Sequence, residues 1–177
     1  MNIKNTTRFS KEAYYALNKT LTSKIYIACI VFEIVLGILA SFIMIKDKDF
    51  LKGGIIVLLM IAYPFVLFAI MNGQIRKNYE INKLTFQDMT YEYELTDNNV
   101  NVHVTNKNTE NHSSLTYQAI YKVTETSNHL FIFISSNQAF IVSKDSFENE
   151  ECMKEVIEKI KKENIKYIYK KVNVKVK

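Results

Sequence analysis

Tryptophan is absent from this chain of 177 residues, proline occurs once and glycine four times. The glycines, Gly37, Gly53, Gly54 and Gly73, all lie in or beside two apolar runs, so there is no glycine-rich loop to cradle a phosphate. Cysteine occurs twice, Cys29 in an apolar run and Cys152 in a charged segment. That spacing gives neither a disulfide framework nor a zinc quartet, and two free thiols fit a reducing compartment. No acid or base is spaced to activate a hydroxyl such as Ser113 or Ser114. These absences argue against an enzyme, and no cofactor is expected.

What is present is unevenly distributed. A mean hydropathy of −0.06 looks soluble, but residues 25–71 are almost continuously apolar and residues 72–177 are polar. The net charge of +5 is similarly divided. Basic ends flank a middle, 72–160, with eight Lys/Arg against thirteen Asp/Glu.

Residues 25–45, IYIACIVFEIVLGILASFIMI, carry one charge, Glu33, and residues 53–71, GGIIVLLMIAYPFVLFAIM, carry none. A bilayer core about 30 Å thick takes roughly 20 apolar residues as helix. Neither run has the polar face of a soluble helix, and too little other chain exists to bury both. The short charged segment KDKDFLK, 46–52, makes them a transmembrane α-helical hairpin. A cleaved signal peptide fits poorly, because the first run is long, starts late and is followed by a second. Eight Lys/Arg flank the outer ends of the hairpin and three lysines lie in its turn. Both termini are therefore expected in the cytoplasm, at the inner or plasma membrane.

Glu33 costs roughly 2.5–3.5 kcal/mol at a span centre, which its neighbours absorb. Its expected partner is Tyr63, at similar depth on the second helix. Pro64 also frees a backbone carbonyl one turn earlier, at Met60. The pair reads as a polar clasp between helices or between copies of the chain, rather than as a proton or ion site.

Before the first span, RFSKEAYYALNKT reads as a short helix with Ser10 as its N-cap. From Met89 the period becomes two. MTYEYELT, VNVHVT, HSSLTYQAIYKVTET, LFIFISS and AFIVS are separated by tight turns, giving an antiparallel sheet. LFIFISS reads as a strand buried on both faces. A helix follows, capped by Ser146 or Asn149, with Met153, Val156, Ile157 and Ile160 on one stripe. The plan is α+β, or a small barrel closed by the C-terminal helix.

This order of parts resembles the YcxB-like family of bacterial membrane proteins. The resemblance is closest over LTYQAIYKVTETSNHLFIFISSNQAFIVSKDSF. There Tyr117 stands at a usual tryptophan, Ile120, Val123 and Glu125 follow at matching spacing, and Ser143-Lys144-Asp145-Ser146-Phe147 stands for a Pro-Lys-x-x-Phe-like element. The resemblance implies a pleckstrin-homology-like C-terminal domain and gives no catalytic residue. Four segments are expected: a cytoplasmic, helical 1–24; the hairpin, 25–71; a cytoplasmic domain, 72–163; and a basic tail, 164–177.

His103 and His112 flank the turn at 106–111 and face each other across a hairpin. Two ligands fall short of a metal site, so they read as structural and no metal is expected. The lysines Lys161, Lys162, Lys166, Lys170, Lys171, Lys175 and Lys177 suit an anionic leaflet, or simply a solvated tail. No RNA-module pattern accompanies them, and no nucleic acid is expected. The expected partners are the lipid bilayer and either another membrane or cytoplasmic protein or a second hairpin. The expected role is a membrane-anchored, non-enzymatic binding or regulatory module that recruits a protein or senses lipid. The alternative is a small immunity or stress-protection protein acting against a membrane-active toxin or peptide.

Overall fold

The computed structural model describes residues 2–47 and 50–172. In chain order these form β1 (Asn2–Arg8), α1 (Lys11–Asp47), α2 (Phe50–Phe86), β2 (Thr90–Thr96), β3 (Asn99–Thr105), β4 (Glu110–Thr116), β5 (Lys122–Glu125), β6 (His129–Phe133), β7 (Ala139–Ser143), α3 (Glu150–Lys162) and β8 (Tyr167–Tyr169). They divide into two compact units, Lys19–Glu80 and the combination of Met1–Asn18 with Ile81–Lys177.

The larger unit holds two four-stranded sheets and α3, an α+β arrangement. The first sheet has the order β1-β2-β3-β4 and is antiparallel throughout. The second has the order β7-β6-β5-β8, and only the β5–β8 pair is parallel. The sheets do not close into the small barrel that the sequence allowed. Neighbouring edges β1 and β7 are joined by side chains instead. Asn5 Nδ2 donates to the Ser143 carbonyl at 2.9 Å, and the Ser143 N–H donates to Thr7 Oγ1 at 2.8 Å. Thr7 in turn donates to Asn5 Oδ1.

Residues 2–8 are thus a strand, not part of the expected helical segment 1–24. Their inward positions are Ile3, Asn5 and Thr7, all buried. Two of the three are polar, so the apolar alternation that marks a half-buried strand is missing. Their burial is tolerated because each makes the hydrogen bonds just named. Ser10 does cap α1, accepting from the Ala13 N–H at 3.0 Å. The helix it opens continues into the first apolar run as one element.

The core lies between the sheets and α3. Tyr93, Leu95, Val100 and Val102 from the first sheet meet Val123, Leu130, Ile132 and Val142 from the second, with Val156 and Ile160 of α3. The Tyr93 hydroxyl donates to the Ile141 carbonyl at 2.7 Å, a second tie between sheets. β6 is buried at all five positions, as its apolar run requires. The cap of α3 is Asn149, whose side chain accepts from the Cys152 N–H. At its other end Asn164 adopts a φ of 55°. The Asn164 N–H bonds the Lys161 carbonyl and the Ile165 N–H bonds the Ile160 carbonyl. This is a Schellman closure, and it turns the chain back into β8.

In the smaller unit α1 and α2 run antiparallel. Tyr26 meets Phe68 with ring centroids 5.8 Å apart, and Gly37 faces Met60. Nearer the turn Met44 lies against Gly53, where a Cβ would fall 1.9 Å from its Cε. α2 runs on through Pro64. Both helices are long and apolar enough to cross a membrane, and among the described residues nothing in the most apolar window of either is buried within the chain. Phe42 and Phe65 are each 71% exposed. A core helix of a soluble protein would bury such side chains.

Candidate functional site

Period-two geometry sends alternate residues of the first sheet outward, away from the core. The ladders align Glu92 with His103 and His103 with His112, making a row across β2, β3 and β4. Glu110, two residues before His112, shares its face. The two imidazoles stack with centroids 4.0 Å apart and planes within 11°. His103 Nδ1 is 3.3 Å from Glu92 Oε2, while its Nε2 is 2.7 Å from Glu110 Oε1. The same Glu110 oxygen is 3.3 Å from His112 Nε2. Hydrogen bonding and charge from His103, and then from His112, hold the Glu110 carboxyl below its ordinary value.

An open cleft of about 790 Å³ covers this face, lined by Lys4, Thr6, Glu92, His103, His112 and Ser114 among others. Ser114 Oγ donates to Asn101 Oδ1, and Asn101 Nδ2 reaches Glu94. β4 forms the border. Nearly every residue of it is exposed, and among the described residues no strand pairs with its outer edge. The two histidines lie opposite each other as their places around the turn predict, and Glu110 joins them without being expected. The available signal was its i, i+2 spacing from His112 on a strand.

The residues carrying the family resemblance lie elsewhere. Tyr117, Ile120, Val123 and Phe147 are buried. Tyr117 donates to the Thr96 carbonyl, and its hydroxyl is pushed up to about 12, first by burial and then by Asp97 and Glu163. Glu125 accepts from Lys144 and from the Tyr167 hydroxyl. Burial alone would raise the Glu125 carboxyl. The bonds from Lys144 and Tyr167, with the charges of Lys144 and Lys161, hold it below its ordinary value instead. This network fastens β8 to β5 and to the turn after β7. It is an architectural joint.

In the helical unit the register sets Glu33 opposite Tyr63. Both line an apolar groove of about 590 Å³, with Cys29, Phe32, Leu36 and Met60. Glu33 Oε1 is buried and has no hydrogen-bond partner among the described residues. The expected neighbours are therefore brought together, but no clasp closes at that oxygen.

The basic residues do not share one arm. Lys161 and Lys162 end α3, and Lys161 Nζ sits 5.0 Å over the Tyr167 ring. Lys166 and Lys170 flank β8, whose parallel pairing with β5 absorbs the start of the expected tail. Lys171 is exposed just beyond. Lys175 and Lys177 lie outside the described residues.

These features define a class: an α+β unit on a chain that also carries two helices long and apolar enough to cross a membrane. Residues 96–160 match the family described as YcxB-like protein, as the sequence resemblance anticipated. The match runs from the end of β2 to the last turn of α3. No curated protein and no solved structure matches the chain.

Proposed function

We propose that this protein is a membrane-anchored, non-enzymatic binding module. Its α1–α2 hairpin spans the inner or plasma membrane, and its α+β unit, of pleckstrin-homology-like type, recruits a protein in the cytoplasm. The observation that carries the recruiting role is β4: a seven-residue edge strand, exposed and, among the described residues, unpaired on its outer side, bordering a polar cleft. Such an edge accepts an extended segment of another protein by main-chain hydrogen bonding, and the neighbouring side chains select it. The other first-sheet edge, β1, lies against β7.

The β1–β2 ladder supports the two-crossing anchor. Its register joins Asn2–Arg8 to Thr90–Thr96 across the whole hairpin. Residues before the first apolar run and after the second therefore occupy one compartment, which two crossings provide. The lysine and arginine distribution favours the cytoplasm.

The test is site-specific photo-crosslinking of the full-length chain in its native membrane, with a benzophenone side chain at Ser113. A discrete protein adduct at Ser113, absent from a control at Glu151 on α3, is the expected result. Adducts to lipid alone, or equal adducts at both positions, would overturn the reading.

A further inference from the structure

We infer that His103, His112 and Glu110 form a binding site for a divalent transition metal ion, with zinc as the best fit. Two imidazoles and one carboxylate are the ligand types of open zinc sites, which leave a fourth position to water or to an incoming group. Imidazole nitrogen also favours such ions over magnesium or calcium, which prefer oxygen.

The ligand atoms are already close, and one ring has to turn: the two imidazole planes, stacked within 11° of parallel, must open so that both nitrogens point at one ion, a rotation open to the exposed His112. Ligands about 2.0–2.1 Å from a tetrahedral zinc stand about 3.3 Å from one another. Glu110 Oε1 lies 2.7 Å from His103 Nε2 and 3.3 Å from His112 Nε2. All three ligand atoms fall within 4.8 Å of one another. The ion would replace the direct contacts between this carboxylate and the two rings.

Two further observations separate this group from a chance surface cluster. The ladder pairs His103 directly with His112, so the backbone sets both side chains side by side on one face. Glu92 holds the far nitrogen of His103 at 3.3 Å. A carboxylate on the non-ligating nitrogen is the usual orienting partner of a metal-binding histidine, because it sets the tautomer and the ring plane. Glu92 is thus a positioning residue. His103 is 26% exposed, while His112 and Glu110 are 70% and 62% exposed, so an ion has an open path in. A bound ion would clip β4 to β3 beside the cleft. The site stands whether or not β4 receives a partner strand.

The experiment titrates zinc into the full-length chain in detergent, against a chromophoric chelator, with any affinity tag free of histidine. The chain has three histidines, and the third, His129, is buried in the second sheet. One zinc per chain is expected, undisplaced by a large excess of magnesium. His103→Gln, His112→Gln or Glu110→Gln should each weaken binding about 100-fold or more. Glu92→Gln should weaken it about 10-fold, as loss of an orienting partner does. Glu94→Gln, on the same face, should leave it unchanged. X-ray absorption of the zinc-loaded protein should show a nitrogen and oxygen shell. A sulfur shell would place the ion on a cysteine and overturn the assignment. So would equal affinity in wild type and the His103→Gln/His112→Gln double variant. All substituted side chains lie on the outer face, and an unchanged thermal transition in each variant excludes unfolding as the cause of any loss.

Discussion

Glu125 and Lys144 are 16% and 15% exposed, so their pairing is only partly screened by water. Removing one partner leaves the other charge poorly solvated. Glu125→Gln should therefore lower stability by about 2 kcal/mol, read by thermal unfolding in detergent. The pH dependence has a definite sign. The folded carboxyl titrates below its ordinary value of 4.5. Its contribution is complete above that value and is lost as pH falls through the folded one. The variant should show a flatter loss of stability below about pH 4.5. His129 adds a second window. Burial lowers its pKa from 6.5, against the opposing charges of Glu12 and Asp145. The unfolded chain takes up a proton that the folded chain resists, so stability falls as pH drops below about 6.5. His129→Gln should flatten that part of the curve. Glu125 and Lys144 were legible in the sequence as signature positions. Their mutual contact was not, since 19 residues separate them and only the β5–β6–β7 meander joins them.

At the scale of elements, helix ends and helix contacts provide separate tests. Asn164 closes α3 in the left-handed region, which glycine occupies without steric cost. Asn164→Gly should preserve or slightly raise stability, while Asn164→Val should lower it by about 1–2 kcal/mol. Equal melting temperatures for the two variants would contradict the Schellman closure. In the hairpin, Gly53 makes room for Met44. Gly53→Leu should loosen the helix pair near its turn, seen as faster proteolysis there in detergent, and Met44→Ala should partly restore it. The elements most legible in the sequence had an unmistakable period or length. The apolar runs gave the two helices, and Met153, Val156, Ile157 and Ile160 gave the packed face of α3. β8 was not legible, because three residues, Tyr167–Tyr169, are too few to show alternation. They pair only where β5 offers an edge.

For the whole molecule, the governing fact is that the first strand completes a sheet built from the far side of the hairpin. Forming the β1–β2 ladder closes a loop of roughly 80 residues. Deleting residues 2–8 should do more than remove a tail. It strips β2 of its neighbour and leaves the Ser143 N–H and carbonyl without Thr7 and Asn5. The truncated chain should unfold at a clearly lower temperature and aggregate through the exposed β2 edge. An unchanged melting temperature would contradict this role. Sidedness is tested in a chain with Cys29→Ala and Cys152→Ala, by an introduced cysteine in the α+β unit, Glu151→Cys, and another at residue 6, Thr6→Cys. Both should react with an impermeant thiol reagent in inverted vesicles and neither in right-side-out vesicles. Opposite labelling of the two would contradict the two-crossing anchor.

By itself the sequence determined what depends on local pattern and on solvent. Two runs with no wet face can hide from water only in lipid or in a partner, and a period of two gives strands wherever it alternates apolar with polar. Only the tertiary structure decided the polar pairings. It made Asn5 and Thr7 inward-facing residues of a first strand, left the two sheets an open pair, and set Glu110 beside two histidines. Whether a polar side chain can be buried, or several can converge, depends on partners brought close by folding, and spacing along the chain does not specify them.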